Sequence, residues 1–333
     1  MPDRRALLED WLGGTLGHTR FELSPASGDA SFRRYWRVRL SERTYVAMDA
    51  PPQREDTARF VDIAGRFRAL GLNTPRIHAR DGERGFLLLD DLGECQYLDA
   101  LAPDTADRLY GDALGALAII QACAPTEGLP QYDESFLRRE LAIFPEWLLG
   151  HRLGLTLSAA EQAGLERAFD LLVVTALEQP RVCVHRDYHS RNLLVTAAPS
   201  PGILDFQDAV AGPVTYDLVS LLRDCYIAWP PEQVRDWARG YFGLALQSGI
   251  LGPQHEAAFG RWFDLMGAQR HLKAAGIFAR LAQRDGKPGY LADIPRTLGY
   301  LVEIAPDYPE LQPLAALIST RVLPALDSAP ADG

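Results

Sequence analysis

The chain has 333 residues, too many for one small core and enough for two lobes. At 47% hydrophobic and 23% charged it reads as an ordinary globular sequence, and no apolar run approaches the ~20 residues of a membrane helix. The net charge of −10 disfavours nucleic acid as a partner, because phosphate backbones select basic surfaces, while a few local arginines can still serve a small anion.

The first ten residues carry acids where a signal peptide would be apolar, so the chain is expected in the cytoplasm. An amphipathic helix is predicted over 3–16, with Leu7, Leu8, Trp11 and Leu12 on one side. Strands are expected at 32–40, 44–50 and 85–89. The helix expected over 57–70 stops at Gly71 and Asn73-Thr74-Pro75. Beyond Asp90-Asp91-Leu92-Gly93 the pattern turns helical, over 101–123, 135–149, 158–177, 216–227, 231–248, 254–283 and 288–304. Only 181–184, 193–196 and 202–206 read as strands there. The expectation is an α+β, bilobal chain. A small mixed lobe would span 1–92 with a hinge at about 88–95, a helical lobe 96–327, and a disordered tail 328–333. Periodicity alone also fits other α+β folds. Cys95, Cys123, Cys183 and Cys225 are scattered, without metal-ligand spacing, and are expected to be buried and reduced.

The chemistry concentrates in Val182-Cys183-Val184-His185-Arg186-Asp187-Tyr188-His189-Ser190-Arg191-Asn192-Leu193-Leu194-Val195. It holds H-R-D-x-x-x-x-N between two apolar stretches. Residues 193–196 and 202–206, joined by a Pro/Gly turn, read as a hairpin. Asn192 enters that hairpin and Asp205 leaves it, so two oxygen ligands are expected to meet. Mg²⁺ takes hard oxygens, usually one or two from protein and the rest from phosphates and water. Asp187 would accept the proton of an attacking hydroxyl.

With these motifs the chain resembles the aminoglycoside phosphotransferase family, which shares the protein-kinase fold and phosphorylates small molecules. The family's H-G-D stands here as His185-Arg186-Asp187, and its second metal motif as Leu204-Asp205-Phe206-Gln207-Asp208. Gly212-Pro213-Val214-Thr215-Tyr216-Asp217-Leu218 is similar to its helix-opening segment. There Asp217 would brace the catalytic loop through His185, or cap the helix. Flanking segments resemble the branch that phosphorylates the anomeric hydroxyl of N-acetylated amino sugars in cell-wall recycling. They are Asp29-Ala30-Ser31-Phe32-Arg33-Arg34-Tyr35, Met48-Asp49-Ala50-Pro51-Pro52, Phe144-Pro145-Glu146-Trp147, Leu204-Asp205-Phe206-Gln207-Asp208-Ala209 and Gln269-Arg270-His271-Leu272-Lys273-Ala274-Ala275-Gly276-Ile277-Phe278-Ala279-Arg280. The resemblance implies ATP and Mg²⁺, an N-acetylmuramate or N-acetylglucosamine acceptor and a sugar 1-phosphate product. A monomer without nucleic-acid or membrane partners is expected. Two other readings are a true aminoglycoside kinase and a nucleotide-binding pseudokinase. The flanking segments argue against the first, and the presence of Asp187, Asn192 and Asp205 argues against the second.

Gly28 and Ser31 are candidates for a phosphate-covering loop, although Ser27-Gly28-Asp29-Ala30-Ser31 could equally be a plain turn. The backbone of Asp90, Asp91 and Leu92 would hold adenine. Glu140, His189, Arg223, Asp224, Arg270 and His271 are candidates for sugar contacts, each alternatively a solvated charge. Arg270 or Arg223 would suit a carboxylate. Arg191, with His185, is expected to support the catalytic loop, and by position alone it and His189 fall near the reacting phosphoryl. The strand Thr44-Tyr45-Val46-Ala47-Met48-Asp49 has Met48 or Asp49 where kinases of this fold carry lysine. No lysine precedes Lys273. Arg33 or Arg34, whose side chains alternation sends to opposite faces, is the candidate replacement.

Overall fold

A computed structural model describes residues 3–17, 20–27 and 32–328. Contacts divide the chain into two compact units. One holds residues 1–100 and 192–208, the other 101–191 and 209–333.

The first unit opens with helix α1 (Arg4–Leu16), whose N-terminus is capped by Asp3 and whose chain turns out at Gly17, φ 72°. Strands β1 (Glu22–Ser27), β2 (Arg34–Arg39), β3 (Thr44–Asp49), β4 (Ile77–Asp81) and β5 (Phe86–Asp90) form an antiparallel sheet in the order β1-β2-β3-β5-β4. Leu8 and Leu12 of α1 pack with Val38, Ala47, Phe86 and Leu88, so one sheet face is buried by that helix. Alternation turns Met48, Leu87 and Leu89 to the opposite face, also buried. Helix α2 (Thr57–Ala69) is capped by Asp56 and buries Phe60, Ile63 and Phe67. After α3 (Tyr97–Ala100), the unit takes back the segment 192–208. Its strands β7 (Leu193–Leu194) and β8 (Gly202–Ile203) make a two-strand ladder, shorter than the two stretches expected. Two prolines, Pro199 and Pro201, lie in the turn between them and have no N–H to extend it.

The second unit is helical. It contains α4 (Ala106–Cys123), α5 (Glu134–Ile143), a π-helical segment (Phe144–Arg152), α6 (Ala159–Glu178), α7 (Tyr216–Leu222), α8 (Pro231–Gln247), α9 (Glu256–Asp285), α10 (Ile294–Ile304), α11 (Gln312–Leu317) and α12 (Leu323–Ser328). Strands β6 (Arg181–Val184) and β9 (Val210–Pro213) pair antiparallel. The helix expected over 135–149 changes character at Phe144, one residue before Pro145, which cannot donate to the helix ladder. Gly276 of α9 meets that junction. A Cβ there would lie 2.7 Å from the Ile143 carbonyl carbon, so only glycine lets the helices approach so closely. The helix expected over 216–227 ends at Leu222, and the one expected from 101 begins at Ala106. Cys183 and Cys225 are buried, but Cys95 and Cys123 are exposed, correcting the expectation of four buried thiols. No helix of the described residues is long and apolar enough to cross a membrane. The tail beyond Ser328 lies outside the described residues.

Candidate active site

In the first unit, the Asn192 carbonyl accepts the Leu204 amide at 2.9 Å and closes the base of the hairpin. This sets Asn192 and Asp205 at its two ends. Asp205 has φ 59°, a left-handed conformation that Asp tolerates better than most residues. Its Oδ1 accepts the Gln207 amide at 2.7 Å, and Gln207 also reaches Asp208 at 3.3 Å. Phe206 is buried against Phe60 and Phe67 of α2, with ring centroids 4.9 and 5.9 Å away, which fixes the hairpin's exit. An amide oxygen and a carboxylate are the ligand types that suit Mg²⁺, with phosphate oxygens completing the shell. Among the described residues no group of three or more His, Cys, Asp or Glu could form an all-protein metal cage.

The Arg33 guanidinium lies 3.7 Å from Asp205 Oδ1 and 3.8 Å from Glu55, with the side chain 9% exposed. Arg34, the first residue of β2, is exposed. Gly28 and Ser31 lie outside the described residues. At the expected hinge, the Asp90 amide donates to the Arg76 carbonyl at 2.9 Å, and the Asp90 carboxylate holds Arg76 N and His78. Asp91 is gripped by Arg37 of β2 through two hydrogen bonds, 2.7 and 3.1 Å, and by Gly93 N at 3.0 Å. Burial raises the Asp91 carboxyl, but these bonds outweigh it and hold it below the usual range. No local pattern singles out Arg37. It stands on an ordinary polar-alternating strand.

In the second unit, β6 delivers His185-Arg186-Asp187. Asp217, in the first turn of α7, accepts the backbone amides of His185 at 2.6 Å and Arg186 at 2.9 Å. It braces the loop through the main chain, not through the His185 ring, and Thr215 occupies the N-cap. Burial pushes the Asp217 carboxyl up to about 7, against those two amides, which favour its ionised form. His185 Nδ1 accepts the Asp187 amide at 3.3 Å. Arg186 has φ 80°, a conformation that favours glycine, where the family motif has one.

Two forces hold Arg186 there. Its amide is taken by Asp217, and its guanidinium is paired with Glu140 of α5. Glu140 also accepts from Lys273 Nζ at 3.0 Å and from the Tyr132 hydroxyl, so both carboxylate oxygens are engaged by this chain. Lys273 donates to the Tyr216 hydroxyl at 2.9 Å. Burial raises the Glu140 carboxyl, but Lys273 and Arg186 bring it below its ordinary value. Lys273 and Tyr132 are site residues that sequence reasoning missed. The signal was available, since Lys273 is one of two lysines and sits on a largely apolar helix.

Asp187 faces the same charges. Burial would raise its carboxyl, but Lys273, His189, Arg186 and Arg270 hold it below the usual carboxylate range, so it is ionised and able to accept a proton. His189 is buried, which lowers its basicity. Its Nδ1 has no hydrogen-bond partner among the described residues. Asp224 accepts Ser190 N at 2.9 Å and Tyr226 N at 3.0 Å. Arg270 is buried and donates to Cys225 Sγ at 3.4 Å. Arg223 is committed to Asp264 at 2.7 Å and lies over the Phe263 ring. His271 donates from Nε2 to the Arg223 carbonyl at 2.9 Å and stacks on Tyr300. Arg191 stacks on Tyr226, 3.9 Å from the ring centroid.

Comparison with known proteins fits this geometry. Residues 22–251 match the model of the phosphotransferase enzyme family. A protein of Pseudomonas aeruginosa named N-acetylmuramate/N-acetylglucosamine kinase is 50% identical over 90% of this chain and 88% of its own length. One of Neisseria meningitidis with the same name is 40% identical over 95% of both. Among solved structures, a choline kinase from Streptococcus pneumoniae superposes with a TM-score of 0.63 at 12% identity, covering 90% of this chain and 99% of the other. An aminoglycoside phosphotransferase gives 0.58 at 16% identity, covering 88% and 97%. The solved structures establish the protein-kinase-like fold. The family match and the curated relatives establish that this chain belongs to the phosphotransferase enzyme family and is an ATP-dependent kinase.

Proposed function

We propose that the chain transfers the γ-phosphoryl group of ATP to the anomeric hydroxyl of N-acetylmuramate and N-acetylglucosamine, giving the sugar 1-phosphates. The observation that carries this is the extent of the likeness. Kinases named for these two sugars match it at up to 50% identity over 90% of its length.

The residues fit the chemistry. The Asp187 carboxylate would take the proton of the attacking hydroxyl as its oxygen bonds to the γ-phosphorus and the bond to the β-phosphate oxygen breaks. Neighbouring cations make Asp187 a weak base. The anomeric hydroxyl is the most acidic on the sugar, so it needs least from that base. Asn192 and Asp205 would hold Mg²⁺, which supplies neutralisation of phosphate charge. The backbone of Asp90 to Leu92 would hold adenine, with Arg37 fixing that segment through Asp91. We place the protein in the cytoplasm, where it would act as a monomer on sugars released in peptidoglycan turnover.

Phosphorus NMR of the product tests the reading. An acid-labile 1-phosphate from either sugar is expected. An acid-stable 6-phosphate would overturn the regiochemistry, and turnover of kanamycin with neither sugar accepted would overturn the substrate class.

A further inference from the structure

The two sugars differ at one place. N-acetylmuramate carries a lactyl ether on O3 whose carboxylate is its only charge. An enzyme that uses that charge needs a cation beside the acceptor site that is not already neutralised.

Most cations around Asp187 are committed. Arg186 and Lys273 share Glu140. Arg223 belongs to Asp264. Arg296 holds Asp293 and the Cys225 carbonyl. Arg270 is 6% exposed and helps keep Asp187 ionised. Arg280 lies one helical turn beyond Gly276, on the face of α9 that packs against the π-helical segment.

Arg191 differs from the paired cations and, unlike Arg280, whose Nε also has no hydrogen-bond partner among the described residues, it stands in the loop that carries Asp187. It is half-buried, and its guanidinium stacks 3.9 Å from the Tyr226 ring centroid and 5.5 Å from that of Tyr290. Among the described residues it makes no hydrogen bond or ion pair. A cation–π contact consumes none of the guanidinium's N–H donors, the fork that matches a carboxylate two bonds at a time. The arrangement is also set in advance. Asp224 accepts both Ser190 N, the residue before Arg191, and Tyr226 N, the residue carrying the stacked ring. Two segments tied to one carboxylate lose little freedom when a ligand binds between their side chains. Arg191 follows Asp187 by four residues, at most about 14 Å even fully extended. The turn between the Asp187 carbonyl and His189 N, 3.1 Å, shortens that reach.

We propose that Arg191 binds the lactyl carboxylate of N-acetylmuramate and sets the preference between the two sugars. This rests on the amino-sugar reading above.

The test is the ratio of kcat/KM for N-acetylmuramate to that for N-acetylglucosamine. Arg191→Gln should lower that ratio at least ~10-fold, about 1.4 kcal/mol, mainly through KM. Arg191→Lys, a point charge without the planar fork, should fall between. The methyl ester of N-acetylmuramate removes the charge without touching the protein. Wild type should favour the acid over the ester by a similar factor, and Arg191→Gln should treat the two alike within about 2-fold. A ratio shift below about 2-fold overturns the proposal, even if both activities fall together, since Arg191 would then serve the shared phosphoryl group. Acid–ester discrimination surviving in Arg191→Gln also overturns it. If that variant does not fold, indifference of wild type to the ester overturns it without any mutant. If wild type phosphorylates neither sugar, the amino-sugar reading fails and takes this inference with it. If it phosphorylates both and Arg191→Gln keeps the ratio, this inference fails alone.

Discussion

Asp49, on the strand where kinases of this fold carry a lysine, is paired with Arg4 of the N-terminal helix. Arg4 Nε lies 2.8 Å from Asp49 Oδ1, and the same guanidinium donates to the Arg84 carbonyl at 2.7 Å. Asp49 alternates with Ala47, whose side chain packs against α1, so the carboxylate is neutralised on the helix-covered face. Met48 points the other way. Neither residue supplies the missing positive charge.

Arg33 is the better placed of the two candidate replacements, being the one beside Asp205 and Glu55. We propose that it contacts the ATP phosphates. Arg33→Ala should raise KM for ATP or lower kcat at least ~10-fold, whereas exposed Arg34 should tolerate alanine within about 2-fold. Wild-type ATP kinetics in both single variants and in the double variant would show that backbone amides and metal hold the phosphates without it.

Asp187→Asn should keep the fold and nucleotide binding while lowering turnover ~10²–10⁴-fold, the usual contribution of a positioned general base. Activity should require Mg²⁺ or Mn²⁺, and Asp205→Ala should abolish it. Asn192→Ala should weaken metal-dependent nucleotide binding, measured by calorimetry with and without metal. Full turnover in EDTA would remove the metal site assigned to this pair.

Glu140→Gln should destabilise the protein by about 3 kcal/mol, because buried Lys273 and half-buried Arg186 would be left without their shared counter-ion. Urea unfolding measures this. The sequence suggested a sugar contact for Glu140. Lost sugar affinity at unchanged stability would favour that role over the brace.

His271 gives a pH signature. Burial lowers its pKa to about 3 from an ordinary 6.5, and its Nε2 proton is held by the Arg223 carbonyl. Between those values the unfolded chain binds a proton that the folded chain refuses, so this group's contribution is lost as pH falls below about 6.5. At pH 5 the loss from this group is about 2 kcal/mol. His271→Gln should cost stability at pH 7.5 and progressively less towards pH 5. A difference between variant and wild type that is constant across that range would refute the assignment.

The strand and loop over 181–192 and the hairpin that ends at Asp205 were legible because their spacing is local: a strand, a loop, two strands. The edge strands β1 and β4 were not. Glu22–Ser27 contains Pro25, which an edge strand admits and a propensity reading rejects. Ile77–Asp81 is mostly polar, and only its pairing with buried β5 makes it a strand. The pairs Arg4–Asp49 and Arg186–Glu140 join residues 45 and 46 apart, and no local pattern announces them. The break at Phe144 comes from one proline in an otherwise helical run. Charges on helices were recognised as candidates, but which were already spent on one another only the fold could tell.

The scarcity of lysine gives the protein a built-in reporter. Lys273 and Lys287 carry the chain's only side-chain amines, and Lys273 is 8% exposed within the Glu140 brace. An amine-reactive probe applied to the native protein should reach Lys273 only when the helical unit opens. Its labelling rate therefore measures the local opening equilibrium around the Glu140 brace, without an engineered tag.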